Sequence, residues 1–316
     1  MAGPTGVPTI SLATVMNMAP RELMVPPPVE VVADARSYLN VPFALIPGFR
    51  LLRLDLHVPV NPRPGSPLVT YASGGGWLMS LKAIGPWRFL LQQGYAVAAI
   101  EYRVSGEARY PAAIHDLKAA VRWLRANAGE YGLDATNIVA WGSSAGGYLS
   151  SMCAVTNGIP EFEGTVGDDL GQSSEVMAVI DHYGAIDLAK MAEDTNSVPG
   201  VMEHFGTETS PETKLLGYRP QDDPEQAELA NPAHYLSART VPFLIMHGDA
   251  DTRLGIGQSE RFYDQLCRAG VKAQFHVIRG ANHGTPEFDS PEAHQLALDF
   301  LASLDFSSQG AGAVRA

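Results

Sequence analysis

"VAWGSSAGGYL", Val139 to Leu149, sets an apolar run directly against a cluster of small residues, Gly142-Ser143-Ser144-Ala145-Gly146. The cluster has the form G-x-S-x-G, lying between an apolar strand pattern and a helix pattern. At about 7% usage for both glycine and serine, such a pattern arises by chance about 0.1 times in a chain of this length, so its context has to carry the reading. A strand-to-helix turn this tight holds its serine in a strained conformation, and small residues two positions either side make room for neighbouring backbone. Ser144 Oγ then stands above the sheet at the N-terminus of a helix, where the dipole favours developing negative charge.

The segments on either side extend the same alternation. "PLVTYA", "YAVAAIEY", "NIVAWG", "VMAVIDHYG", "VPFLIMHG" and "QFHVIRG" are near-continuous apolar runs, as parallel strands covered by helices on both faces require. Between them, "PAAIHDLKAAVRWLRANA" sets Ile114, Leu117, Val121 and Leu124 on one helical stripe. Further helices are expected at "KAIGPWRFLLQQG", "SAGGYLSSMCAV", "IGQSERFYDQLCRAG" and "SPEAHQLALDFLASL". This repeated strand and helix order predicts an α/β fold with right-handed crossovers and one mainly parallel central sheet. Upstream, "FRLLRLDLHVPV" places Leu52, Leu54 and Leu56 on one face at period two, the pattern of an antiparallel strand with one wet side.

Three divisions are expected: an N-terminal arm over residues 1–40, one catalytic domain over 41–306, and a flexible tail over 307–316. Within the domain, residues 188–236 are polar and rich in Pro, Glu and Asp, and read as a small insertion over the active face. The 316 residues and 33.8 kDa suit one large α/β domain or two small ones. A net charge of -12 leaves no basic stripe for phosphates or anionic lipid, which argues against nucleic-acid and membrane partners. Cys153 and Cys267 lie far apart on helical segments without metal-ligand spacing, and both read as buried fillers. The N-terminus lacks a basic region followed by a compact apolar one, and no apolar stretch approaches the roughly 18–20 residues of a membrane span, so a cytoplasmic protein is expected.

A serine nucleophile needs a base, itself oriented by an acid. Of nine histidines, His57, His182, His247 and His276 sit in or at the ends of strand patterns, His115 and His294 in helices, and His204 and His234 in the insertion. His283 follows the last strand in "IRGANHGTPEF", in a glycine-flanked loop where a side chain can swing over the sheet edge. "LIMHGDADTRLGI" offers Asp249 and Asp251 as acids in the loop after the preceding strand. Acyl transfer also passes through an oxyanion that needs rigid N–H donors. Ala145, after the nucleophile, supplies one, and Gly74 to Gly76 in "PLVTYASGGGWLMS" supply the others, with Gly75 and Gly76 the expected pair. Trp77, Tyr183 and Arg253 are candidate substrate-binding residues. For Arg253 the alternatives are a carboxylate pair within this acidic chain or a fork for a substrate carboxylate.

These residues resemble the α/β-hydrolase superfamily, and within it the esterases that include bifunctional feruloyl and acetyl-xylan esterases, near the hormone-sensitive-lipase-like and kynurenine-formamidase-like enzymes. The likeness runs from about Leu52 to Leu304 and includes "EYR", "GSSAGG", "KLLGY", "HGDADT" and "GANHG". It implies an α/β-hydrolase fold, Ser144 as nucleophile, His283 as base, and an oxyanion hole at Gly75, Gly76 and Ala145. The family pattern H-G-x-x-D matches His247 to Asp251, which makes Asp251 the acid and Asp249 a loop-capping carboxylate. Two departures stand out: Ser73 replaces the histidine of H-G-G-G-W, and Arg253-Leu254-Gly255 follow the acid where small apolar residues and a proline are usual. A serine carboxylesterase acting on a small-molecule ester, with no cofactor or metal, is the resulting expectation. An acyltransferase or cyclase using the same residues, and a non-catalytic binding protein, are the alternatives. The expected protein partner is at most a second copy in a homodimer.

Overall fold

The computed structural model describes residues 11–24, 27–46, 49–202 and 204–304. The first ten residues of the expected arm and the expected tail over 307–316 lie outside the described residues. Eight strands form one sheet: β1 (Ala35–Leu45), β2 (Leu51–Pro59), β3 (Leu68–Ala72), β4 (Val97–Ile100), β5 (Ile138–Ser143), β6 (Ala178–His182), β7 (Phe243–Gly248) and β8 (Ala273–Ile278). Their spatial order is β1-β2-β4-β3-β5-β6-β7-β8. β1 pairs antiparallel with β2 and β2 antiparallel with β4, whereas every pair from β4 through β8 is parallel.

The parallel strands bury both faces because their alternate residues feed two separate cores. Leu68 and Ala72 of β3, Ile138 and Ala140 of β5 and Phe243 and Ile245 of β7 face one core, packed under α1 (Ala112–Asn127), α2 (Ala145–Val155) and α3 (Gly257–Arg268). Val69, Tyr71, Val139, Trp141, Leu244 and Met246 face the other, covered by Leu90, Leu91 and α4 (Pro291–Ser303) through Ala297, Phe300 and Leu301. The stripe Ile114, Leu117, Val121 and Leu124 seats α1 as its spacing requires.

Five local expectations change. β2 has no wet side: Asp55 and His57 are buried, because Trp87 stacks on His57 at 4.5 Å and Ser37 Oγ bonds His57 Nδ1 at 2.8 Å. β1 begins at Ala35, inside the stretch read as an arm, and Leu12 of the short helix Leu12–Met16 is buried in the first core. The helix expected over "KAIGPWRFLLQQG" shrinks to Phe89–Gln92, and β8 is only half-buried because it is the sheet edge. Cys267 is exposed, since α3 turns that position to solvent, while Cys153 is buried.

The residues of 188–236 form short helices, among them Met191–Thr195 and Pro211–Leu216. Met191, Phe205 and Pro211 reach the cavity at the C-terminal ends of the parallel strands. No described helix is long and apolar enough to cross a membrane.

Candidate active site

Ser144 occupies the turn between β5 and α2 with φ 56° and ψ -122°, a conformation that disfavours any side chain and marks a strained turn. The turn closes because its neighbours lack side chains. A Cβ on Gly142 would lie 2.0 Å from Gly146 O, and one on Gly146 would lie 2.0 Å from Ala72 O. Ser144 N–H donates to His182 O (2.8 Å), and Ser144 O accepts from Tyr148 N–H (3.1 Å), which starts the helix directly behind the serine.

The loop after β8 brings His283 Nε2 to 2.9 Å from Ser144 Oγ. On its other side, His283 Nδ1 lies 2.7 Å from Asp251 Oδ2. A carboxylate can only accept, so Nδ1 carries the hydrogen and Nε2 accepts from the serine hydroxyl. Asp251 Oδ1 accepts from Arg253 N–H (2.9 Å) and Leu254 N–H (2.8 Å). Burial by itself would raise the Asp251 carboxyl, but bonds from His247 and His283 overcome it and hold the group far below the usual carboxylate range. Asp249 goes elsewhere: its carboxylate accepts from Arg279 Nη1 (2.9 Å) and Gly280 N–H (2.6 Å).

Two side chains that the sequence did not single out for the site support this row. His247 is buried on β7, with Nε2 3.0 Å from Leu254 O and 3.2 Å from Asp251 Oδ2, and Nδ1 2.7 Å from Ser259 Oγ. Nε2 faces two acceptors and so carries the hydrogen, which makes His247 a donor to the acid from behind. Its place four residues before Asp251 in H-G-x-x-D was the available signal. Asn282 Oδ1 accepts from His283 N–H (2.7 Å) and Thr252 N–H (2.9 Å), tying the histidine loop to the acid loop. A contact between loops thirty residues apart left no local trace in the sequence.

The serine opens into a cavity of about 810 Å³, whose walls include Gly75, Gly76, Trp77, Ala145, Tyr183 and Arg253. Gly75 (φ 132°) and Gly76 (φ 58°) adopt backbone conformations that few residues other than glycine tolerate. Ser73 anchors this loop: its Oγ accepts from Leu81 N–H (2.9 Å), and its carbonyl accepts from Tyr102 O–H (2.8 Å). Trp77 is buried edge-on against Tyr148 at 5.4 Å, so it belongs to the core as well as to the cavity wall. The Tyr183 ring lies 4.6 Å from that of His283, and burial pushes its phenol up to about 12. No cluster of His, Cys, Asp and Glu suited to a metal ion occurs among the described residues.

The BD-FAE family model matches residues 54–266 of this sequence. The chain belongs to the BD-FAE family. This BD-FAE chain is 30% identical over 246 residues to Esterase LipC of Mycobacterium tuberculosis, an alignment that covers 75% of the chain and 58% of LipC. A truncated carbohydrate esterase from gut microbiota superposes with a TM-score of 0.77 at 30% identity, covering 87% of this chain and 98% of that one. A bifunctional GH43-CE protein of Bacteroides eggerthii gives a TM-score of 0.74 at 30% identity, covering 84% of this chain and 38% of that one. The BD-FAE chain thus spans little more than half the length of LipC, and its fold is the α/β-hydrolase fold.

Proposed function

We propose that this protein is a serine carboxylesterase acting on a small-molecule carboxylic ester. The observation that carries the reading is the continuous row Asp251 to His283 to Ser144, at 2.7 and 2.9 Å, opening into the cavity. In this reading Ser144 Oγ attacks the ester carbonyl carbon while His283 Nε2 takes its proton. The C–O π electrons move onto the carbonyl oxygen, which the N–H groups of Gly75, Gly76 and Ala145 receive. Collapse of this intermediate breaks the bond to the alcohol, to which His283 returns the proton, leaving an acyl-Ser144. Water, deprotonated by the same imidazole, then releases the acid. Asp251 keeps the imidazole in the tautomer that accepts from serine and stabilises the imidazolium that forms.

Trp77, Tyr183 and Arg253 are the substrate-facing residues of this proposal, supported by their places on the cavity wall. The names of LipC and the carbohydrate esterase support ester hydrolysis as the reaction class. Residence in the cytoplasm and a homodimer belong to the proposal as expectations of the sequence, and light scattering tests the second. The deciding experiment measures hydrolysis of p-nitrophenyl acetate by the purified chain and its Ser144→Ala variant. Wild-type turnover is expected to fall by about 10⁴-fold or more in the variant, at unchanged circular dichroism. Turnover that survives the substitution would remove Ser144 from the chemistry.

A further inference from the structure

The segment from Leu78 to Gly85 inverts the usual placement of side chains. Leu78, Met79, Leu81 and Ile84 are 50, 52, 44 and 57% exposed, and all four line the cavity that holds Ser144. The one charged residue among them, Lys82, is turned inward with its side chain only 10% exposed. Its Nζ donates to Asn40 Oδ1 at 2.7 Å and lies 3.3 Å from Asp55 Oδ1. Burial lowers the lysine's affinity for its proton, and the Asp55 carboxylate offsets part of that. A scattered exposed leucine needs no explanation, but four large apolar side chains displayed together while a lysine is withdrawn call for a ligand.

The segment is also held in place. Leu78 N–H donates to Gly75 O (2.9 Å), Leu81 N–H to Ser73 Oγ (2.9 Å), and Arg88 to Ala83 O (2.6 Å) and Gly85 O (3.2 Å). An apolar surface fixed by bonds to its backbone is pre-organised, which reduces the ordering needed when a ligand binds.

We infer that Leu78, Met79, Leu81 and Ile84 form a lip that binds the hydrocarbon part of the substrate, so that the protein prefers lipophilic esters over acetyl esters. This rests on the esterase reading above. The cavity, about 810 Å³, falls within the range of roughly 300–1,000 Å³ that encloses a drug-sized molecule, far more than an acetyl group fills. The lip is continuous with the glycine loop beside Ser144, so a chain attached to the reacting ester reaches it without leaving protein surface. The hydrocarbon can sit on the acyl or the alcohol side, and two substrate series separate these.

The test measures kcat/KM of the full chain for p-nitrophenyl esters from acetate to decanoate, and for alkyl acetates from methyl to decyl. Each methylene seated on the lip is worth about threefold, so three or four of them predict a rise of about 30- to 80-fold along one series. The series that rises identifies which side of the ester carries the chain. Leu81→Ser combined with Ile84→Ser should lower the long-to-short ratio in that series by about tenfold. Turnover of acetate with a flat or falling dependence in both series overturns the lip while leaving the esterase reading intact. No turnover of any ester overturns the esterase reading instead. A variant that converts a dimer to a monomer in sedimentation, with the ratio unchanged, makes the lip an interface between copies and also overturns the inference. The wild-type series decides the matter even if the double variant does not fold.

Discussion

Two aspartates at the C-terminal ends of neighbouring parallel strands have opposite fates. Asp181 on β6 is fully buried, and neither carboxylate oxygen has a well-formed side-chain hydrogen bond. Burial, offset a little by the Gly184 amide, pushes its carboxyl up to about 7. Asp251, just past β7, is nearly as buried but receives His283, His247 and two backbone amides, and its carboxyl stays ionised far into acid. Burial therefore does not decide the charge of a carboxylate in this protein; the number of donors aimed at it does. The donors around Asp251 come from β7, from its own loop and from the loop that carries His283, whereas Asp181 is packed against Gly147 of α2 and Gly184, which offer no side chains.

The largest test of this contrast is Asp251→Asn. The amide cannot hold the imidazole in the accepting tautomer, so kcat/KM for p-nitrophenyl acetate should fall about 10⁴-fold, or about 5 kcal/mol of barrier. A loss below tenfold in initial-rate measurements would mean that the charge on Asp251 is not what the site uses.

Asp181→Asn should leave turnover at pH 6 within error of wild type and act on stability instead. The native state keeps a proton that the unfolded chain, with a carboxyl near 3.8, releases between about pH 4 and 7. The contribution of Asp181 is therefore full below pH 4 and is lost as pH rises through 7, by an amount on the order of 4 kcal/mol. Asp251 has the opposite sign: its lowered value adds stability above about pH 4, which is lost as pH falls. Urea unfolding of the Asp181→Asn variant should show a flatter decline from pH 4 to 8 than wild type. Parallel curves would mean that Asp181 finds a donor when solvated.

Asp249→Asn is the smallest effect expected. That carboxylate caps Gly280 and pairs with a largely exposed Arg279, so turnover should remain within about twofold, as for a surface pair of little energetic weight. A loss comparable to Asp251→Asn would exchange the roles of the two aspartates in the proposed mechanism.

Much of this architecture was written locally. Near-continuous apolar runs marked β3 to β7 as strands covered on both faces, with β8 the exception at the sheet edge, and the stripe on α1 packs against that sheet. G-x-S-x-G announced its turn in part because Gly142 is demanded by Gly146 O, four residues away, a range over which sequence and geometry are nearly the same thing, whereas Gly146 is demanded by Ala72 O of β3.

What the tertiary structure alone decided lies where distant segments meet. Asp249 and Asp251 are two residues apart on one loop; the H-G-x-x-D resemblance favoured Asp251, and the fold gives them different partners, His283 and His247 at Asp251, Arg279 and Gly280 at Asp249. The second face of β2 looked wet because Asp55 and His57 are polar, but Trp87, thirty residues later, covers His57. Leu81 and Ile84 are exposed and Lys82 is withdrawn, against the usual preferences of these residue types, with Asp55 of β2 beside the lysine. Local sequence reports what a side chain prefers, whereas burial and charge depend on which partners the fold brings within about 4 Å of it.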